Sequence, residues 1–180
     1  MTQRRTNQLT ARRSVVTLLT GISLTAAVVA CSESGATTLP LPNTVATGTV
    51  STLLGRAAFA TPFKLRRTSG DWDMQIEVSK ATDVAVQNIT FDPAGQSGWH
   101  SHPGPVFIQV VSGSITFYDS EDPSCKGIVR TAGQGFLDVG DHPHLARNET
   151  ASPATNVVTY FAPPGAALRI DAPKPANCPF

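Results

Sequence analysis

The chain has 180 residues, 41% of them hydrophobic and 15% charged, and a formal net charge of +1. That is apolar enough to bury a core, too short for two full domains, and unlike the charged, aromatic-poor chains that stay unfolded. Arg4, Arg5, Arg12 and Arg13 precede residue 31 and all 13 acidic residues follow it, leaving 10 basic against 13 acidic residues beyond residue 30, a balance that excludes a nucleic-acid partner needing a basic face.

Arg4 to Arg13 leads into a charge-free apolar stretch from Ser14 to Ala30. The stretch is short for a spanning helix and ends in a small residue, a cysteine and a polar run, so residues 1–30 read as a signal peptide. The junction Val28-Val29-Ala30-Cys31 resembles a bacterial lipobox, in which cleavage precedes the cysteine and the thiol receives a diacylglycerol. Cys31 is then the first residue of a lipoprotein anchored in the cell membrane on its extracytoplasmic face; the other reading is an unmodified cysteine beside a membrane anchor. Ala11-Arg12-Arg13-Ser14-Val15-Val16 also resembles a twin-arginine signal, which exports folded proteins, but paired arginines occur in any basic leader and both routes stay open. Residues 31–61 are Ser/Thr/Gly/Pro/Ala-rich without sustained period and read as a flexible tether, with one short helical turn at Val50 to Ala60.

From Phe63 the pattern changes to short alternating runs, and no apolar stretch has helical length and period. Residues 62–172 are expected to form one all-β domain. Its candidate strands are Lys64 to Arg67, Asp73 to Ser79, Val84 to Phe91, Trp99 to His102, Val106 to Val111, Ser114 to Tyr118, Gly127 to Arg130, Phe136 to Val139, Leu145 to Arg147, Val157 to Phe161 and Ala167 to Ile170. Turn clusters such as Asp92-Pro93-Ala94-Gly95, Pro103-Gly104-Pro105 and Gly133-Gln134-Gly135 separate them at the spacing of a sandwich or jelly roll. Residues 173–180 form a Pro-rich tail. With Cys31 lipidated, Cys125 and Cys178 remain as an even pair in an oxidising compartment, so a disulfide between them is expected, against the alternative of two free thiols.

All four histidines lie between residues 100 and 144, as His100-Ser101-His102 and His142-Pro143-His144. Residues two apart on a strand project to one face, so each pair can offer two imidazoles to one metal ion. A single pair reads more simply as two exposed turn histidines; two pairs separated by strands shift the balance toward a metal site.

The stretch from His100 to Gly113 resembles the first motif of the cupins, H-x-H followed by Glu and later Gly. His100, His102 and Gly113 fall in place, Val106 stands where the Glu would be, and Gly95 is one residue off the initial glycine. The second cupin motif is matched by Gly133, His144 and Asn148, with Val139 for its proline and Asp141 for its second glycine. The resemblance covers roughly Thr82 to Pro163. It implies a cupin double-stranded β-helix, a jelly-roll barrel with the two motifs on opposing strands, and a metal held inside by His100, His102 and His144. The carboxylate ligand is missing. Gln109 does not replace it, because strand parity puts it on the face opposite Val106, Ile108 and Val110. Three imidazoles with open positions resemble the site of some cupin-type dioxygenases and suit one divalent transition metal, Fe, Mn, Ni, Cu or Zn. The resemblance also suggests a homodimer.

His142 is either a fourth ligand or acid/base group at the mouth, or a solvated residue of its turn. Asp141 and Asp138 can cap that turn or bond an imidazole, and Asn148 reads as structural. Val106, Ile108, Val110, Ile115 and Phe117 are expected in the interior, where Val106, Ile108 and Phe117 would line an apolar pocket or simply form core. Trp99 should point outward and pack. Two functions fit: a metal-dependent small-molecule oxygenase at the cell surface, and a non-catalytic barrel that binds a small ligand.

Overall fold

Where apolar and polar residues alternate, a strand can bury one face and wet the other. The computed structural model describes residues 44–180; the expected signal peptide and Cys31 lie outside the described residues. Among these are twelve strands: β1 (Thr47–Phe59), β2 (Phe63–Ser69), β3 (Trp72–Val78), β4 (Thr82–Gln96), β5 (His100–Ser101), β6 (Val106–Ser112), β7 (Ser114–Asp119), β8 (Ile128–Thr131), β9 (Gly135–Asp138), β10 (His144–Arg147), β11 (Ala154–Ala162) and β12 (Ile170–Asp171). No helix among them is long and apolar enough to cross a membrane.

Ten strands form one antiparallel sheet that curls into a nearly closed barrel, in the order β12-β5-β10-β4-β11-β6-β9, with β1 added to β4 and β7 joining β10 to β8. This is the all-β jelly-roll barrel that the sequence led us to expect. β11 shows why: its buried and half-buried residues alternate without a break over nine positions, and it is held on both sides, by β4 and by β6. The interior has two adjoining clusters, one around Ala85, Val106, Ile108, Val158 and Tyr160, the other around Phe91, Ile115, Ala146 and Ala154. Val106, expected to line the pocket, is fully buried core instead.

Residues 31–61 were expected to be a tether, and from Thr47 that expectation fails. β1 is a 13-residue strand with one half-buried residue and the rest exposed. It has no buried face, so its sequence carries no period to betray it, nor is there a helical turn at Val50 to Ala60. What holds β1 is backbone pairing along β4, from Thr47 opposite Gln96 to Phe59 opposite Thr82, together with the ion pair of Arg56 with the buried Asp83 at 2.7 Å. β2 and β3 form a separate hairpin.

Outside the barrel, Trp99 is completely buried in a third cluster with Tyr118, Leu145, Ala172 and the Cys125–Cys178 disulfide, against which Phe180 packs. Trp99 thus faces outward from the barrel, as parity requires, and the C-terminal tail covers it. Its Nε1–H donates to the carbonyl of Phe180 at 2.9 Å.

Candidate metal centre

Two short strands bring the histidines together. His100 on β5 pairs directly with His144 at the start of β10, and His102 follows His100 on the same face, two residues on. The ring centroids of His100 and His144 are 4.4 Å apart, and that of His102 lies 4.9 Å from each. One nitrogen from each ring falls within 4.8 Å of the others, a group able to hold one metal ion.

The unused nitrogen of each ring faces an oxygen acceptor. Nδ1 of His100 donates to the carbonyl of Gly98 at 2.8 Å, and Nδ1 of His102 to that of Leu168 at 2.6 Å. A carbonyl only accepts, so both rings carry their proton on Nδ1 and keep the Nε2 lone pair. His144 Nδ1 lies 2.8 Å from Asp138 Oδ2; the two are not aligned for a straight hydrogen bond, and neither has another partner among the described residues. Such acceptors fix ring orientation and raise ligand basicity. Burial, with smaller contributions from the neighbouring imidazoles and Arg169, pushes His100 down to about 2 and His102 down to about 4. Both are neutral at any physiological pH, the form a metal requires. Asp138 is partly buried, which would raise its carboxyl, but His144 and the Gly140 N–H hold it down to about 2.

Gly140 shows how the two motif loops are locked. Its φ is +95°, its N–H donates to Asp138 Oδ1 at 2.7 Å and its carbonyl accepts from the His102 N–H at 3.0 Å. A Cβ there would collide with the carbonyl oxygen of Gly104. Gly113, with φ at +72°, turns β6 into β7 where any side chain would strike Pro153 and Ala154.

The other site residues fall as follows. His142 stands apart from the three-histidine group: Nδ1 meets Asp141 at 2.8 Å and Nε2 meets Asp119 at 3.1 Å. Both of its nitrogens are spent on carboxylates. Burial acts against its charge, but Asp141, then Asp119 and Glu121, raise its pKa. Gln109 is exposed on the outer face, as parity predicts. Asn148 is structural: Nδ2 donates to the carbonyls of Phe91, Asp92 and Ser152, and Oδ1 accepts from Thr150.

The histidines open into a cavity of about 400 Å³, whose lining includes Ile108 and Phe117 as expected. It also includes Gln87, Asn156, Tyr160, Leu168 and Arg169, which the sequence did not single out. Tyr160 packs edge-on against His102 with centroids 5.2 Å apart and donates its hydroxyl to Gln87 Oε1. Gln87 and Asn156 were findable as polar residues in the inward register of β4 and β11. Leu168 and Arg169 were not, because the expected strand Ala167 to Ile170 is loop up to its last residue.

No protein-family model matches the chain, and no curated protein does. Similar solved structures include the Cupin_2 domain of an XRE family transcriptional regulator from Enterobacter cloacae, at 18% identity and TM-score 0.42, covering 66% of this chain and 99% of that one. A conserved protein with a double-stranded β-helix domain from Klebsiella pneumoniae is 19% identical at TM-score 0.41, covering 64% and 88%. The polyketide cyclase RemF from Streptomyces resistomycificus is 13% identical at TM-score 0.43, covering 52% and 63%. Cupin proteins from Desulfitobacterium hafniense, Thermotoga maritima and Bordetella pertussis are similar as well.

Proposed function

We propose that the chain is a metal-binding cupin that uses His100, His102 and His144 to hold one divalent transition metal and acts as a small-molecule oxygenase. The observation that carries this reading is the arrangement of the rings: three clustered imidazoles, each with Nδ1 facing an acceptor and Nε2 left over. Three neutral nitrogen donors fit an ion of the Fe, Mn, Ni, Cu or Zn type, and no carboxylate is among them.

A bound metal would supply Lewis acidity and, for a redox-active ion, electrons for dioxygen chemistry at its open positions. The protein supplies the rest. Gly98 and Leu168 hold two of the rings in the ligating tautomer, Asp138 faces the third, Tyr160 packs against His102, and Ile89, Ile108 and Val158 give the cavity apolar walls.

The test is metal content by elemental analysis of chain purified without chelators, for wild type, His100→Ala and His144→Ala. About one equivalent in wild type, absent from both variants, is expected, with dioxygen consumption in the presence of a substrate class such as diketones, thiols or phenols. Metal without turnover on any of these would leave the non-catalytic ligand-binding barrel.

Export and lipid attachment at Cys31 belong to the same proposal, supported by the Cys125–Cys178 disulfide, which suits an oxidising compartment. Labelled palmitate should enter wild type and not Cys31→Ser.

A further inference from the structure

The cavity beside the histidines is lined by cationic and neutral groups only. Among the described residues, Arg169 is its one permanently charged lining residue, and neither an aspartate nor a glutamate lines it. Arg169 is tethered by Asp171, which accepts from its Nε, so the two terminal nitrogens remain as a fork for a planar anion. Asp171 itself lies outside the lining.

A second polar group stands elsewhere on the wall. Asn156 is 2% exposed, lines the cavity, and its Oδ1 accepts no hydrogen bond among the described residues. Its cross-strand neighbours on the inner face are Ile89 and Val110, and its neighbours along β11 are Ala154 and Val158. All four are apolar, so none of their side chains can donate to this oxygen, and the residue lines the cavity. A buried amide left without a partner is costly, and native structures rarely keep one without a use. Asn156 and Tyr160 are four residues apart on one strand, about 13 Å by strand rise. Tyr160 is the one of the two that touches His102, so Asn156 stands further along β11 from that contact, with Ile89, Ile108 and Val158 among the apolar lining.

We infer that the cavity takes a small organic carboxylate with an apolar middle and a hydrogen-bonding group at its far end, the carboxylate held at the Arg169 and histidine end and the far group bound by the Asn156 amide. This rests on the metal reading only for the ion's share of the carboxylate; Arg169 and Asn156 act with or without it. Asn156 is thereby a specificity-determining residue, selecting against acids whose far end is purely hydrocarbon.

The experiment uses the full chain in detergent, loaded with Zn(II) as a redox-silent ion and also metal-free, titrated by calorimetry. The probes are ω-hydroxyalkanoates of four to eight carbons, the plain alkanoates and the α,ω-diols of the same lengths. At one chain length the hydroxy acid is expected to bind at least ten-fold tighter than both its alkanoate and its diol. Asn156→Leu should reduce the hydroxy acid to the level of the alkanoate while Zn content stays at wild type, and Arg169→Met should reduce both acids to the level of the diol. Should Asn156→Leu fail to fold, Asn156→Ser serves, with the same loss expected. Equal binding of acids and diols, no binding of any probe, or a preference retained in the Asn156 variants would overturn the inference. A chain that takes up no Zn(II) would overturn the metal reading alone, because the metal-free titration still decides between these outcomes.

Discussion

His144 differs from its two companions in what holds it. His100 and His102 lean on backbone carbonyls, but His144 faces the carboxylate of Asp138, itself buried and fastened to the Gly140 N–H. In the proposed ligand set, where Val106 stands in the place of the cupin glutamate, the nearest negative charge would be this carboxylate behind His144. Asp138→Asn is accordingly expected to weaken metal affinity about 10- to 100-fold while leaving the fold intact, measured by competition with a chromophoric chelator; unchanged affinity would refute this role. The buried imidazoles also set a pH response. His100 and His102 are held at about 2 and about 4, below the ordinary value of 6.5, so above pH 6.5 they cost nothing. As pH falls below 6.5 the unfolded chain takes up protons that the folded chain refuses, and stability is lost down through the folded values. At pH 5 the metal-free protein should be about 2 kcal/mol less stable per histidine than at neutrality, and His102→Gln should remove about half of the loss. Urea unfolding at the two pH values reads this, and a flat profile would count against neutral, buried rings.

At the scale of elements, what could be foreseen tracks how each strand is stabilised. The two-residue period in β6, β11 and the first half of β4 reports burial on one face, and it locates these strands. But β11 already starts at Ala154, and β4 runs on to Gln96 through the expected turn Asp92-Pro93-Ala94-Gly95, because its pairing with β1 and β10 continues there. Likewise His100 and His102 could be grouped because two-residue spacing on a strand fixes a common face, whereas His144 joined them, and His142 did not, only through the resemblance to the cupin motifs. β1 has no buried face, so only its partner's backbone defines it, and a composition reading turns it into tether. Arg169 and Leu168 enter the site from a loop, for which no period exists. The consequence for β1 is measurable. A chain beginning at residue 62 loses the pairing of β1 along β4 and takes Arg56 from Asp83, whose carboxyl is held low by the Gly165 N–H and Arg56 and keeps only the former. It should melt at least 5 °C below a chain beginning at residue 44, by calorimetry, since even about 1 kcal/mol moves a domain of this size by several degrees. Equal melting temperatures would mean that the strand contributes nothing.

For the whole molecule, the disulfide does more than close a loop. Cys125 and Cys178 are 53 residues apart, a separation whose closure stabilises by about 4 kcal/mol in the chain-entropy account. The bond also keeps the tail over Trp99, the residue that immediately precedes His100. Cys178→Ser is expected to lower stability by about that amount and to shift the Trp99 emission to the red as the tail lifts, while Trp72, already half exposed at the tip of its hairpin, stays constant. Emission unchanged on loss of the bond would show that packing alone retains the tail.

The three acceptors behind the histidines come from residue 98, residue 138 and residue 168. No local segment can therefore assemble the ring cluster, which is complete only once the loop before β12 has docked. Uptake of the proposed metal would then report completion of the fold: during refolding, the ion should be taken up in the last kinetic phase, and a chain stalled earlier would be left without it.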